Sequence, residues 1–269
     1  MTPARFDLTG KVAVITGGAG ILGRHFSRSL AEAGATVCIV DKEACAELTA
    51  EIARGTGQQA YFFTCNVADP KDVSETVGRI VSTCGRIDIL HNNAAAKSSN
   101  LEAFFAPFEE FSLETWREVM SVNIDGMFLV AQAVGKQMIA QGGGGSIIQT
   151  ASIYGIVAPD QRIYQGSEYN GRSINTPAVY SASKAAVVGL TNYLATYWAS
   201  HNIRVNTLTP GGIESGQNEE FKRRYSNRVP LERMGSADEL TGALLFLASD
   251  ASSYVTGHNL IVDGGLSVW

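Results

Sequence analysis

The chain has 269 residues, of which 45% are hydrophobic and 17% charged, enough to bury a full core in one large α/β domain. With 26 acidic residues against 21 basic ones and no basic run, it offers no field for a phosphate backbone, which excludes nucleic acid as a partner. The longest apolar runs, Val12 to Ile15 and Ala243 to Ala248, fall far short of a membrane span, and a cytoplasmic location is the default expectation.

In chain order, Lys11 to Thr16 is a short apolar run flanked by glycine, and Ile21 to Ala33 carries helical periodicity that stops at Gly34. Strand, tight turn and helix follow from that. A β-rich run at Ala35 to Val40 precedes a helical Glu43 to Arg54, a strand at Ala60 to Cys65, a helix from Asp69 to Thr83 and a strand at Ile87 to Leu90. Ser112 opens another helix, Ser146 to Thr150 is a strand, Tyr180 sits on a helix, and Arg204 to Leu208, Asp238 to Ala248 and Leu260 to Val262 complete the alternation. Strand and helix in turn call for a doubly wound parallel sheet of Rossmann type with helices on both faces, here as a single domain. Gly142 to Gly145 reads as a helix-to-strand connector. The four cysteines and four histidines show no ligand-like spacing, so no metal site and no disulfide scaffold is expected.

Thr16 to Gly23 lies between the first strand and the first helix, where Gly17, Gly20 and Gly23 let backbone amides and a helix N-terminus approach a pyrophosphate. Asp41 closes the second strand 18 residues after Gly23, a place for a carboxylate that accepts from an adenosine ribose and repels a 2′-phosphate. Together they favour NAD over NADP. A glycine turn without a ligand and a surface acid are the alternative reading, and Lys42 beside Asp41 weighs against strict selectivity.

Tyr180 and Lys184 stand one helical turn apart on one side of a helix. A free phenol has a pKa near ~10, and a neighbouring ammonium ~4 Å away stabilises the phenolate by up to roughly 4 kcal/mol at an effective dielectric of about 20. That pairing makes an acid/base of tyrosine near neutrality.

With Asn92-Asn93-Ala94, Asn123 in Val122-Asn123-Ile124, Ser152, Pro210-Gly211 and Val262-Asp263-Gly264-Gly265 added, the chain resembles the short-chain dehydrogenase/reductase family over essentially its whole length. The resemblance implies that Tyr180 is the acid/base, that Lys184 also holds the nicotinamide ribose, that Ser152 bonds the reacting oxygen and that Asn123 supports a water-linked proton path. It also implies cofactor contacts from Ile21, Leu22, Asn93, Ala94, Pro210, Gly211, Ile213 and Ser215, with Asn66 and Val67 flanking the adenine. A homotetramer is the common assembly of that family. Read without the resemblance, Ser152 is a strand-end cap, Asn123 a helix-interior polar group bonding backbone, and Tyr180 a core tyrosine.

An extended segment, residues 153–179, separates Ser152 from Tyr180 and emerges beside the reacting centre. Its donors and acceptors suit a polyhydroxylated or anionic substrate, with Ser152, Tyr154, Arg162 and Arg172 as substrate candidates. A solvated loop or a subunit contact is the alternative for the arginines, and Tyr154, His91 and Cys84 also read as structural. The run Phe104, Phe105, Phe108 and Phe111 reads as packing. The expected activity is hydride transfer between NAD and a secondary alcohol of a sugar, sugar acid or sugar-derived compound. Reduction of acyl-carrier-protein thioesters or apolar ketones, and cofactor-binding regulation without turnover, are the alternatives.

Overall fold

The computed structural model describes residues 4–169 and 171–269, without the side chains of Ala46, Tyr169 and Arg172. In chain order the strands are β1 (Val12–Thr16), β2 (Thr36–Asp41), β3 (Ala60–Thr64), β4 (Ile89–Asn92), β5 (Gly145–Thr150), β6 (Glu168–Tyr169), β7 (Arg172–Ser173), β8 (Ile203–Pro210) and β9 (Asn259–Val262). The α-helices are α1 (Ile21–Glu32), α2 (Ala46–Thr56), α3 (Pro70–Cys84), α4 (Leu101–Phe104), α5 (Leu113–Met120), α6 (Met127–Gln141), α7 (Ala178–Tyr197), α8 (Glu219–Ser226) and α9 (Thr241–Ala248).

Seven strands form a parallel sheet in the order β3-β2-β1-β4-β5-β8-β9, while β6 and β7 pair antiparallel as a separate hairpin. The period-two alternation of β1 sorts its side chains onto two cores. Val12 and Val14 join Cys38 and Val40 of β2 under α3, α6 and α7, through Ile80, Val134 and Leu194. Ala13 and Ile15 join Val37 and Ile39 under α1, α2 and α9, through Phe26, Ile52 and Leu244. Each fully buried large side chain of this kind contributes on the order of 1.5–3 kcal/mol, and both faces of the sheet are covered.

Strand order reverses between β1 and β4, and that switch point opens a crevice beyond the carboxyl ends of both strands. Local signals fix the helices around it. Asp69 caps α3 by accepting from the amides of Lys71 and Asp72 at 2.8 and 3.3 Å, with Pro70 pre-set for the first turn. Ser112 caps α5 by accepting from the Thr115 amide at 3.1 Å, as its sequence context predicts.

Several elements depart from expectation. The Glu43 helix begins three residues later, at Ala46, and the helix expected from Asp238 opens as a 3-10 turn over Ala237–Leu240. The Ser112 helix continues through a π segment, Ser121–Gly126, into α6. Helix α8 and the β6–β7 hairpin were not legible in the pattern. No helix among the described residues is long and apolar enough to cross a membrane.

Candidate active site

The phosphate loop is built by close approach. Gly17 has φ +61°, and a Cβ there would lie 2.9 Å from the Ala94 Cα. A Cβ on Gly23 would lie 2.1 Å from the Gly17 carbonyl oxygen, so α1 packs directly on the turn. Gly20 starts α1 in an extended conformation, and a Cβ there would come within 3.2 Å of the same oxygen. Ile21 is exposed at the helix start. The Asp41 carboxylate accepts from the Ala19 amide at 3.1 Å and from the Lys42 amide at 2.8 Å, which holds it against the loop.

Thr16 carries a role the sequence reading missed. Its hydroxyl accepts from the amides of Asn93 and Ala94 at 2.9 and 3.0 Å and donates to the Asn92 carboxamide oxygen at 3.2 Å. Asn93 returns its side-chain amide to the Thr16 carbonyl at 3.3 Å. The end of β4 is thereby strapped to the glycine loop. Threonine at the end of a strand gives too common a signal to be singled out.

Tyr180 is the third residue of α7, and Lys184 follows one turn later, buried. The Lys184 ammonium donates to the Thr150 carbonyl at 3.0 Å, and burial holds its pKa down to about 8. Burial raises the Tyr180 phenol above its ordinary range, a hydrogen bond with Ser152 partly offsets this, and Tyr164 adds to the rise. The structure thus differs from the near-neutral phenol that spacing alone predicts. Desolvation outweighs the hydrogen bond, and the ammonium is aimed at the Thr150 carbonyl.

Asn123 is buried in the π segment. Its Oδ1 accepts from the Ala96 amide at 2.8 Å, and its Nδ2 donates to the Ser183 hydroxyl at 3.3 Å. Ser183 in turn donates to the Tyr180 carbonyl at 2.9 Å. The wider π turn lets one asparagine join the segment after β4 to the second turn of α7, and Ser183 is a link that sequence reasoning did not name.

Two spaces meet at Ser152 and Tyr180. A groove of about 200 Å³ is lined by Leu22, Asn93, Thr150, Lys184, Pro210 and Gly211 as well as by both of those residues. A cavity of about 480 Å³ runs from them between Phe104, Phe105, Tyr154, Asn175 and Phe221, with Ile213 and Ser215 on its rim. The groove and glycine cradle fit a nicotinamide dinucleotide. Small residues leave open space at the N-terminus of α1, Asp41 closes β2 beside the glycine loop, and Lys184 and Tyr180 stand at the far end of the groove.

The remaining candidates divide. Asn66 uses its carboxamide oxygen to accept from the Ala68 amide at 3.1 Å, and Val67 is buried against Gly126. Tyr154 lines the cavity. Arg162 does not join it. Its guanidinium grips Asp160 through two 2.8 Å hydrogen bonds and is 84% exposed, because Asp160 two residues back is both helix cap and counter-ion. The Arg172 side chain lies outside the described residues. Phe104 is buried against Val119 and Val179 and also walls the cavity, so packing and lining are the same contact surface. His91, buried and donating or accepting at the Thr150 hydroxyl at 2.8 Å, is held neutral by burial with a pKa of about 3.

A family model described as enoyl-(acyl carrier protein) reductase matches residues 17–267. The chain is 35% identical to a D-threitol dehydrogenase of Mycolicibacterium smegmatis, over 98% of this chain and 95% of that protein. The fold superposes with a TM-score of 0.86 on a short-chain dehydrogenase of Leptospira borgpetersenii with bound NAD+, at 32% identity over 100% of this chain and 97% of that one. It superposes with a TM-score of 0.84 on a gluconate 5-dehydrogenase of Burkholderia cenocepacia in complex with NADP and tartrate, at 36% identity and 98% coverage of each chain.

Proposed function

The chain belongs to the short-chain dehydrogenase/reductase family, and from that premise we propose that it is an NAD-preferring dehydrogenase for a secondary alcohol of a polyol, sugar or sugar acid. The observation that carries this reading is the meeting of Ser152, Tyr180 and Lys184 at the junction of the cofactor-shaped groove with a separate cavity. The similarity to a threitol dehydrogenase and a gluconate 5-dehydrogenase supports the substrate class.

When bound, the nicotinamide supplies the hydride acceptor for alcohol oxidation, held by Lys184, Asn93, Ala94, Pro210, Gly211, Ile213 and Ser215, with Asn66 and Val67 at the adenine. Tyr180 acts as the acid/base beside Ser152: its phenolate form takes the proton from the substrate hydroxyl as the carbon becomes a carbonyl, so the burial that raises the phenol's pKa must be offset when cofactor and substrate fill the site. Ser152 steadies the charge on that oxygen. Asn123, bonded to Ser183, keeps Tyr180 at this point and lines the route by which the proton leaves. Lys184 holds its charge next to the Thr150 carbonyl, poised beside the ribose position.

Asp41 supports the NAD preference, since its carboxylate faces the loop where a 2′-phosphate would bring like charge. Reduction of an enoyl group on an acyl carrier protein, the activity in the family model's description, suits this cavity less well because polar side chains interrupt its wall. We also place the protein in the cytoplasm as a homotetramer. The exposed stacked pair Tyr193 and Tyr197 on α7, with exposed Val268 and Trp269, supports apolar contacts between subunits, whereas Leu266 is buried within its own chain. Sedimentation of the purified protein tests the assembly.

The function is tested by a turnover screen of polyols, sugars, sugar acids and simple alcohols with NAD+ and NADP+, following reduced nicotinamide. Turnover with NAD+ on a polyhydroxylated compound is expected. Activity confined to apolar alcohols, or to NADP+, would contradict the reading.

A further inference from the structure

Helix α8 is polar except for two buried side chains, Phe221 and Tyr225, which stand four residues apart and therefore share one face. Asn218 caps the helix by accepting from the Phe221 amide at 2.8 Å. The Phe221 ring lies 5.3 Å from the Tyr164 ring and 5.9 Å from the Tyr225 ring, so three rings form a row along the large cavity, and all three line it.

Tyr225 ends that row against the loop that follows β8. Its hydroxyl accepts from the Gly212 amide at 2.5 Å, and its ring packs so closely that a Cβ on Gly212 would lie 2.4 Å from the Tyr225 Cζ. Two further ties of this loop are made by backbone. The Gly211 amide donates to the Val262 carbonyl at 2.9 Å, and the Gly235 amide donates to the Gly212 carbonyl at 2.9 Å. Gly211 and Ile213, on either side of Gly212, each border both the cofactor-shaped groove and the large cavity. A side chain from the cavity wall thus holds the turn that the two spaces share. Burial pushes the Tyr225 phenol up to about 12, so at neutral pH it accepts as an uncharged hydroxyl.

We propose that Tyr225 is a positioning residue for the nicotinamide end of the cofactor, acting from α8 through the Gly212 amide. This rests on the dehydrogenase reading above and deepens it. Held by the hydroxyl, the loop is ordered before the cofactor arrives. Without it the Gly212 amide loses its partner, and ordering the loop falls to the nicotinamide itself. The loss then falls on the nicotinamide, and not on the adenosine, pyrophosphate and second ribose, which that reading assigns to the glycine loop, Asp41 and Lys184.

The test measures the affinity of full-length wild type and Tyr225→Phe for NADH and for ADP-ribose, which lacks the nicotinamide. Phenylalanine keeps the ring and removes the hydroxyl. NADH affinity is expected to fall about 5- to 30-fold, and ADP-ribose affinity to stay within about twofold. Gly212→Ala presses on the same contact from the loop side and should split the two affinities in the same way, which keeps the test decisive if Tyr225→Phe fails to fold. Unchanged NADH affinity overturns the proposal. So does an equal fall for both ligands, because a merely structural loss weakens every part of the cofactor alike. Absence of turnover on every polyol and sugar acid overturns the functional reading instead, while the binding comparison, which needs no substrate, still decides the role of Tyr225.

Discussion

The Asp41 carboxylate accepts a hydrogen bond from the Ala19 amide at 3.1 Å, so the acid at the end of β2 and the tip of the glycine loop form one rigid unit. On the NAD-preferring reading, a carboxylate held there opposes the approach of a 2′-phosphate. Asp41→Ala is expected to lower the ratio of kcat/KM for NAD+ over NADP+ by at least about tenfold, since it removes a like-charge contact. Steady-state kinetics with both cofactors measure it, and an unmoved ratio would assign selectivity elsewhere.

Two glycine substitutions should act in opposite directions. A methyl on Gly23 would stand 2.1 Å from the Gly17 carbonyl oxygen, which forces the loop open, and NADH affinity should fall more than about tenfold in Gly23→Ala. Gly55, in the exposed last turn of α2, has nothing within 4 Å of its added Cβ. Gly55→Ala should stabilise the fold by up to about 1 kcal/mol. Titration of NADH fluorescence and thermal melting separate the two effects.

Burial keeps His91 neutral, with a pKa of about 3 against 6.5 in its ordinary state. Between those values the unfolded chain takes up a proton that the folded chain refuses, so acidification through this window costs stability and raising the pH restores it. At pH 5 the cost is about 2 kcal/mol. The stability difference between wild type and His91→Gln should therefore shift by about that amount in favour of the variant from pH 7.5 to pH 5. Denaturant melts at both values check it, and a pH-independent difference would mean that the imidazole is not held neutral.

Arg162 is spent on Asp160 rather than on a ligand. Arg162→Ala should leave KM for the best substrate within about twofold and change stability little, since water screens an exposed ion pair. A KM rise of tenfold would show that the guanidinium leaves Asp160 to meet substrate.

Much of this arrangement was legible in the residues. Lys11 to Thr16 and Ala35 to Val40 announce themselves as buried strands because both faces are covered, and the Gly17–Gly23 loop is marked by residues whose missing side chains the packing demands. Ser152, Tyr180 and Lys184 stood out because their chemistry is tied to spacing. Other links depend on contacts between distant segments. Thr16 bonds across 77 and 78 residues to Asn93 and Ala94, and Asn123 across 60 to Ser183, so no local pattern reveals either. The same holds for the direction of Lys184. Its helical spacing to Tyr180 was visible, but the Thr150 carbonyl that receives its ammonium lies at the end of β5, 34 residues earlier. Arg162 misled for the opposite reason, since its partner Asp160 was close in sequence and polar residues in a loop read equally as wall or as surface.

The most direct measurement is single-turnover oxidation of the best polyhydroxylated substrate by wild type and Tyr180→Phe, with NADH affinity determined on both. The phenol that lies against Ser152 is the proton acceptor of this account. The rate should fall by a factor of about 10² to 10⁴ while NADH affinity changes only a few-fold. A loss of no more than a few-fold in rate would contradict the assignment of Tyr180 as the acid/base.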